Sequence, residues 1–130
     1  MEDSILNTTK KLLGIPTDVE DFDTDLIIYI NTVFSNINQM GIGPTKCFKI
    51  TGSTETWQDF DKRWDMELLK TYMYLKVKAM FDPPANSQLA ESYDNIAKEQ
   101  EFRLHSLWDM YMKAEEQSIK DWVEANSNNE

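Results

Sequence analysis

The sequence predicts an all-α protein: a small bundle of four main helices with a long C-terminal helix and a short extended arm or strand near residues 46–51. Three observations carry that prediction. Leu26, Ile30, Val33, Ile37 and Met40 recur at i, i+4, i+7, i+11 and i+14, the one-sided apolar stripe of a core-facing helix. Gly14-Ile15-Pro16 and Gly41-Ile42-Gly43-Pro44 share a glycine, apolar, proline order that closes a helix. From Asn86 to Glu124 neither glycine nor proline occurs, so nothing local breaks a helix there.

The first helix is expected from about Ser4 to Leu13, with Ile5, Leu6, Thr9, Leu12 and Leu13 on one face. Gly14 takes the left-handed cap, Ile15 folds back as its apolar partner, and Pro16 prevents continuation. The second helix starts near Asp23, whose carboxylate is expected to accept from free backbone N–H groups, with Phe22 and Ile27 placed as a hydrophobic staple. Ile27 and Phe34 widen its stripe. Phe48 and Ile50 alternate with Cys47, Lys49 and Thr51, which suits an extended arm, and Gly52-Ser53 turns the chain. A single helical turn follows Thr54, around Trp57 and Phe60. The fourth segment, Asp65 to Phe81, puts Leu68, Tyr72, Leu75 and Ala79 on one stripe with Leu69, Met73 and Met80 beside it. Asp82-Pro83-Pro84 ends it, because a residue before proline leaves the α region.

The last helix runs from a cap at Asn86 or Ser87 to about Glu124, with apolar residues at Leu89, Tyr93, Ile96, Ala97, Leu104, Leu107, Trp108, Tyr111 and Ala114. Unbroken, it would be roughly 55 Å long. A compact domain of this chain length is only about 35 Å across. Either the helix breaks after Met112, or its C-terminal third projects and carries Ile119, Trp122 and Val123 as an apolar patch at i, i+3, i+4. Such a patch calls for a partner. The chain therefore divides into a helical body, residues 1–114, and a C-terminal extension, residues 115–130, whose end from Ala125 reads as a frayed tail.

The 130 residues make one domain's worth of chain, with a net charge of −10 that disfavours tight non-specific binding to nucleic acid over a broad face. The acidity is uneven. Residues 1–25 hold seven acids against Lys10 and Lys11, residues 26–53 hold none, and seven more follow from Glu101 onward. Cys47 is the only cysteine, which excludes an internal disulfide and suits a reducing compartment. Met1-Glu2-Asp3 opens acidic and the longest apolar run is Leu26–Ile30, so neither a secretory leader nor a membrane span is expected.

No catalytic, cofactor-binding or metal site is expected. His105 is the only histidine and lacks the second imidazole or nearby cysteine of a zinc site, so it reads as a surface or interface residue. Cys47 reads as structural. Asp18, Glu20, Asp21, Asp23 and Asp25 resemble a calcium loop only superficially, because the glycine and the bidentate glutamate are missing. Gly41-x-Gly43 closes a helix instead of opening one after a strand, so it is no dinucleotide loop. The aromatics Trp57, Phe60 and Trp64 lie outside the long helices, where they serve either as interface anchors or as a lid on one end of the bundle. With Ile119, Trp122 and Val123 they form the set of candidate interface residues.

Taken in order, Lys11-Leu12-Leu13-Gly14-Ile15, Phe22-Asp23-Thr24-Asp25-Leu26-Ile27, Asn31-Thr32-Val33-Phe34, Asn38-Gln39-Met40-Gly41-Ile42-Gly43-Pro44, Thr56-Trp57-Gln58-Asp59-Phe60 and Tyr72-x-Tyr74-Leu75-Lys76-Val77-Lys78-x-x-Phe81-Asp82-Pro83-Pro84 resemble the head-tail connector (adaptor) proteins of tailed phages and prophages. The resemblance covers residues 5 to 110 or so. It implies a structural virion protein, not an enzyme, made in the host cytoplasm and placed in the particle's neck. There it forms a ring with itself, usually of twelve copies, beneath the portal protein. It extends the DNA channel towards the stopper or tail-completion protein, passing double-stranded DNA without binding it specifically and touching no membrane. The segment after about Met112 is longer and more polar than the pattern.

Two readings from other classes compete. One is a cytosolic helical regulator or antitoxin-like module that binds a single partner through the C-terminal helix. The other is an enzyme built around His105 and Cys47.

Overall fold

The computed structural model describes residues 3–63 and 66–127. Five helices follow one another: α1 (Ile5–Leu12), α2 (Asp23–Gln39), α3 (Trp57–Phe60), α4 (Met66–Phe81) and α5 (Ser87–Ser127). Among the described residues no strand forms. The expected arm is an irregular connection, and a lone antiparallel bridge links Ser4 to Thr56.

Both glycine-marked stops operate as read. Ser4 Oγ accepts from Asn7 N at 3.2 Å to open α1. At its end Gly14 has φ +81° while Ile15 N donates back to Lys10 O and Gly14 N to Lys11 O, the paired bonds of a Schellman motif. The C-terminus of α2 repeats it, with Ile42 N donating to Ile37 O and Gly41 N to Asn38 O. Ile37 and Ile42 are both buried, which supplies the apolar contact of that cap.

The start of α2 corrects an expectation. Phe22 occupies the N-cap position and Asp23 caps nothing; its carboxylate pairs with Lys10, 2.8 Å away. Lys10 is almost wholly buried, and its ammonium also donates to Thr17 O and Val19 O. A buried cation needs an anion more than a helix start needs a cap, whose orphan N–H groups can bond to water. Phe22 packs edge-to-face against Phe81 at 5.4 Å, so it ties the start of α2 to the end of α4.

α4 lies at the centre of the bundle, packed against α1, α2 and α5. Leu69, Tyr72, Met73, Leu75 and Val77 are buried, whereas Ala79 and Met80 from the predicted stripe are exposed. The core face is thus rotated from the one expected, because a helix with neighbours on two sides has no single apolar arc. Leu12 of α1 is also exposed. The connection after α2 is held to the bundle by Asn31, which accepts from Ile50 N and donates to Ile50 O at 2.8 and 3.0 Å. One side chain thereby satisfies both backbone groups of a residue that lacks a strand partner. Phe34, Phe48 and Phe60 stack around one another with ring centroids 5.0 to 5.7 Å apart.

α5 is unbroken over 41 residues, about 60 Å at the usual rise. Asn86 Oδ1 caps it, accepting from Gln88 N and Leu89 N. It continues through Ser127, past the expected end at Glu124 and into the segment read as a frayed tail. Tyr72 Oη donates to Glu101 Oε2 at 3.1 Å, joining α4 to α5. Burial and the facing carboxylate both raise the Tyr72 pKa, so the phenol stays a donor.

Candidate interface on the projecting helix

Of the two alternatives for α5, the structure takes the second. Leu104 and Trp108 are buried and Tyr111 and Met112 pack against the core, but every residue from Lys113 to Ser127 is exposed. About 22 Å of helix therefore stands clear of the body.

Arg63 marks the point of departure. Its guanidinium lies 5.5 Å from the Trp108 ring centre and 5.7 Å from that of Tyr111, and it pairs with Glu115 at 3.1 Å and Asp61 at 3.0 Å. The hydrogen bonds to Asp61 and Glu115 raise the already high Arg63 pKa. Partial burial pushes the Asp61 carboxyl up, but hydrogen bonds from Arg63 and its charge outweigh this and hold the group below the usual carboxylate range.

Beyond Glu115 the helix keeps the same face. Trp108, Glu115 and Trp122 are spaced at i, i+7 and i+14, so Trp122 sits on the stripe that is buried lower down. Ile119, Trp122 and Val123 are all exposed, Trp122 by 67%. The seam between α5 and the body thus runs on past the body with no intramolecular cover.

The other candidate cluster divides. Trp57 is fully buried and Phe60 is 4% exposed, so neither is available to a partner in this fold. Of the two alternatives this favours the lid: a capping box opens α3, with Thr56 Oγ1 accepting from Asp59 N and Asp59 Oδ2 from Thr56 N. Trp57 Nε1 also reaches Thr8 Oγ1 at 3.4 Å. Trp64 lies outside the described residues.

Sequence reasoning overlooked a second exposed apolar surface. Phe102 and Met110, 72% and 65% exposed, border a cleft of about 290 Å³ with Leu68, Arg103, Ser106 and Leu107. Both residues fall off the core face, and the signal for them is their i, i+8 spacing on the other side of the same helix.

The two residues of the enzymatic reading sit on different elements, His105 on α5 and Cys47 in the connection after α2. His105 is exposed on α5, with Nδ1 3.5 Å from Asp109 one turn away, and the half-buried Cys47 donates to Phe48 O at 3.7 Å. No metal-binding group of three or more acids, histidines or cysteines occurs among the described residues, and no described helix is long and apolar enough to cross a membrane.

No curated protein and no solved structure matches the chain. A family model described as phage connector protein matches residues 5–110, which takes in most of the packed body and stops short of the projecting segment. That match covers most of the sequence, and the chain belongs to the phage connector protein family.

Proposed function

We propose that this connector is a head-tail adaptor whose copies form a ring, of twelve by the family pattern, beneath the portal. The ring would prolong the DNA channel and join the capsid to the stopper and tail. The observation that carries the proposal is the uncovered seam: a helix that leaves its own body with Ile119, Trp122 and Val123 exposed along the continuation of its buried stripe. Each such side chain gains about 1.5–3 kcal/mol when fully buried, so covering three of them repeatedly around a ring supplies a substantial drive for assembly. In this reading residues 1–114 are the body and 115–130 the assembly extension.

The charge fits conduction. A net charge of −10 per copy, on a protein whose family role is structural, suits a channel that double-stranded DNA crosses without adhering. The particle neck is the proposed location, and assembly takes place in the host cytoplasm.

Mixing the purified protein with purified portal protein and measuring the mass of the product tests this. The expected product is a portal ring carrying a full ring of connector subunits. Portal rings that stay unloaded would overturn the proposal and favour a regulator that binds a different partner. Counting subunits around the neck in particle images then gives the ring number.

A further inference from the structure

We propose that the tip of α5 seats on the outer face of α5 in a second copy of this chain, with Ile119, Trp122 and Val123 entering the cleft formed by Leu68, Phe102, Arg103, Leu107 and Met110. The inference rests on the ring reading and names the contact that builds the ring.

Both halves of the contact are on the chain. The tip patch and the cleft lie on largely opposite sides of one helix, since Phe102 and Trp122 are roughly 160° apart around it at 3.6 residues per turn. Their centres are offset by about 22 Å along the axis. A tip that leans onto a neighbour therefore leaves the neighbour's own tip facing onward, to a third copy. That is a heterologous contact, which closes into a ring when the rotation between copies divides the circle. A patch that met only its own kind would stop at a dimer.

Charge selects the same pairing. Arg103 is the cation in the lining of the cleft, while Glu116 borders the tip patch, about 20° around the helix from Val123. Within its own chain Arg103 pairs with Glu99, at 2.7 Å, an exposed i, i+4 pair that costs little to exchange. Two chains of net charge −10 repel one another, so a local cation at the seat is what lets an acidic tip approach.

Disulfide trapping in assembled particles tests the contact. In a Cys47→Ser background, Met110→Cys and Ile119→Cys are introduced together and singly, and particle necks are mildly oxidised. The double variant is expected to give a ladder of covalent multimers on a denaturing gel, and each single variant none. A ladder missing from particles whose necks still show a ring would overturn this contact and leave the ring reading standing. Necks without any ring of this protein would overturn the ring reading itself. Covalent dimers from a single variant, or a bond from Ile119→Cys to the portal protein, would also overturn the contact. As a second measurement, Arg103→Glu is expected to lower incorporation into particles about tenfold, the scale of one desolvated charge pair. Adding Glu116→Arg should restore it. Because both residues are exposed, circular dichroism should show an unchanged fold, and failure of the rescue would overturn the charge pairing.

Discussion

Lys10 Nζ lies 2.8 Å from Asp23 Oδ1, and this ion pair joins the last turn of α1 to the first turn of α2 across the acidic connection between them. The lysine is buried and the aspartate partly so, and the ammonium also donates to the carbonyls of Thr17 and Val19. The whole connection is thus wrapped around one buried charge.

Removing the anion should cost more than removing the cation. Asp23→Ala leaves an ammonium in the core with only neutral acceptors, and is expected to destabilise the protein by about 3 kcal/mol. Lys10→Met removes the charge and keeps most of the volume, so its loss should be smaller. Urea unfolding of the two variants, compared at equal slope, checks the order.

Two glycines on successive turns of one loop should respond differently. Gly41 and Gly43 both have positive φ, but a Cβ on Gly41 would meet open space, whereas one on Gly43 would fall 2.7 Å from Phe60 Cζ. Gly41→Ala is expected to cost about 1 kcal/mol, from backbone strain alone. Gly43→Ala must also displace a ring that stacks on Phe34 and Phe48, and should cost about 2 kcal/mol or more. Thermal melting of the two variants distinguishes them.

Acid should loosen the connection between α2 and α4 first. Burial pushes the Glu55 carboxyl up slightly, but hydrogen bonds from the Thr51 hydroxyl and from backbone N–H groups, those of Thr51 and Gly52 among them, bring it below its usual value. Asp61 is lowered likewise against Arg63. A carboxylate with a lowered folded pKa contributes stability that is present above the unfolded value, near pH 4, and lost as pH falls through the folded value. Stability should therefore fall below about pH 4, and more gently in a Glu55→Gln, Asp61→Asn double variant. Melting temperatures measured across that range give the comparison.

The two tryptophans should separate folding from assembly. Trp57→Ala empties a fully buried site and is expected to cost about 3–5 kcal/mol. Trp122→Ala, on the exposed tip, should leave monomer stability within about 0.5 kcal/mol while lowering the yield of complete particles. Calorimetry of the free protein and a particle count together read both effects.

Much of this was legible from local patterns, because local rules dominate where chain chemistry has few alternatives. The glycine stops, the stripe of α2, the short turn at Trp57 and the unbroken run of α5 each depend on residues within a turn or two. The errors fell where distant groups competed. Local rules make Asp23 a cap, yet Lys10, thirteen positions away, takes it. Local rules leave Trp57 open between a lid and a partner, because its cover comes from the distant N-terminal segment, through Thr8 Oγ1 and the bond from Trp57 N to Asp3 O.

Periodicity and the placement of Gly and Pro act through the backbone, so the helices, the glycine-marked stops of α1 and α2 and a last helix too long for its domain follow from the chain alone, as does the lack of an internal disulfide from its single cysteine. Which apolar residues remain uncovered depends instead on how the helices pack. Burial is a property of neighbours, and the same aromatic chemistry is core at Trp57, beside Thr8 of α1, and open surface at Trp122, where the body has ended.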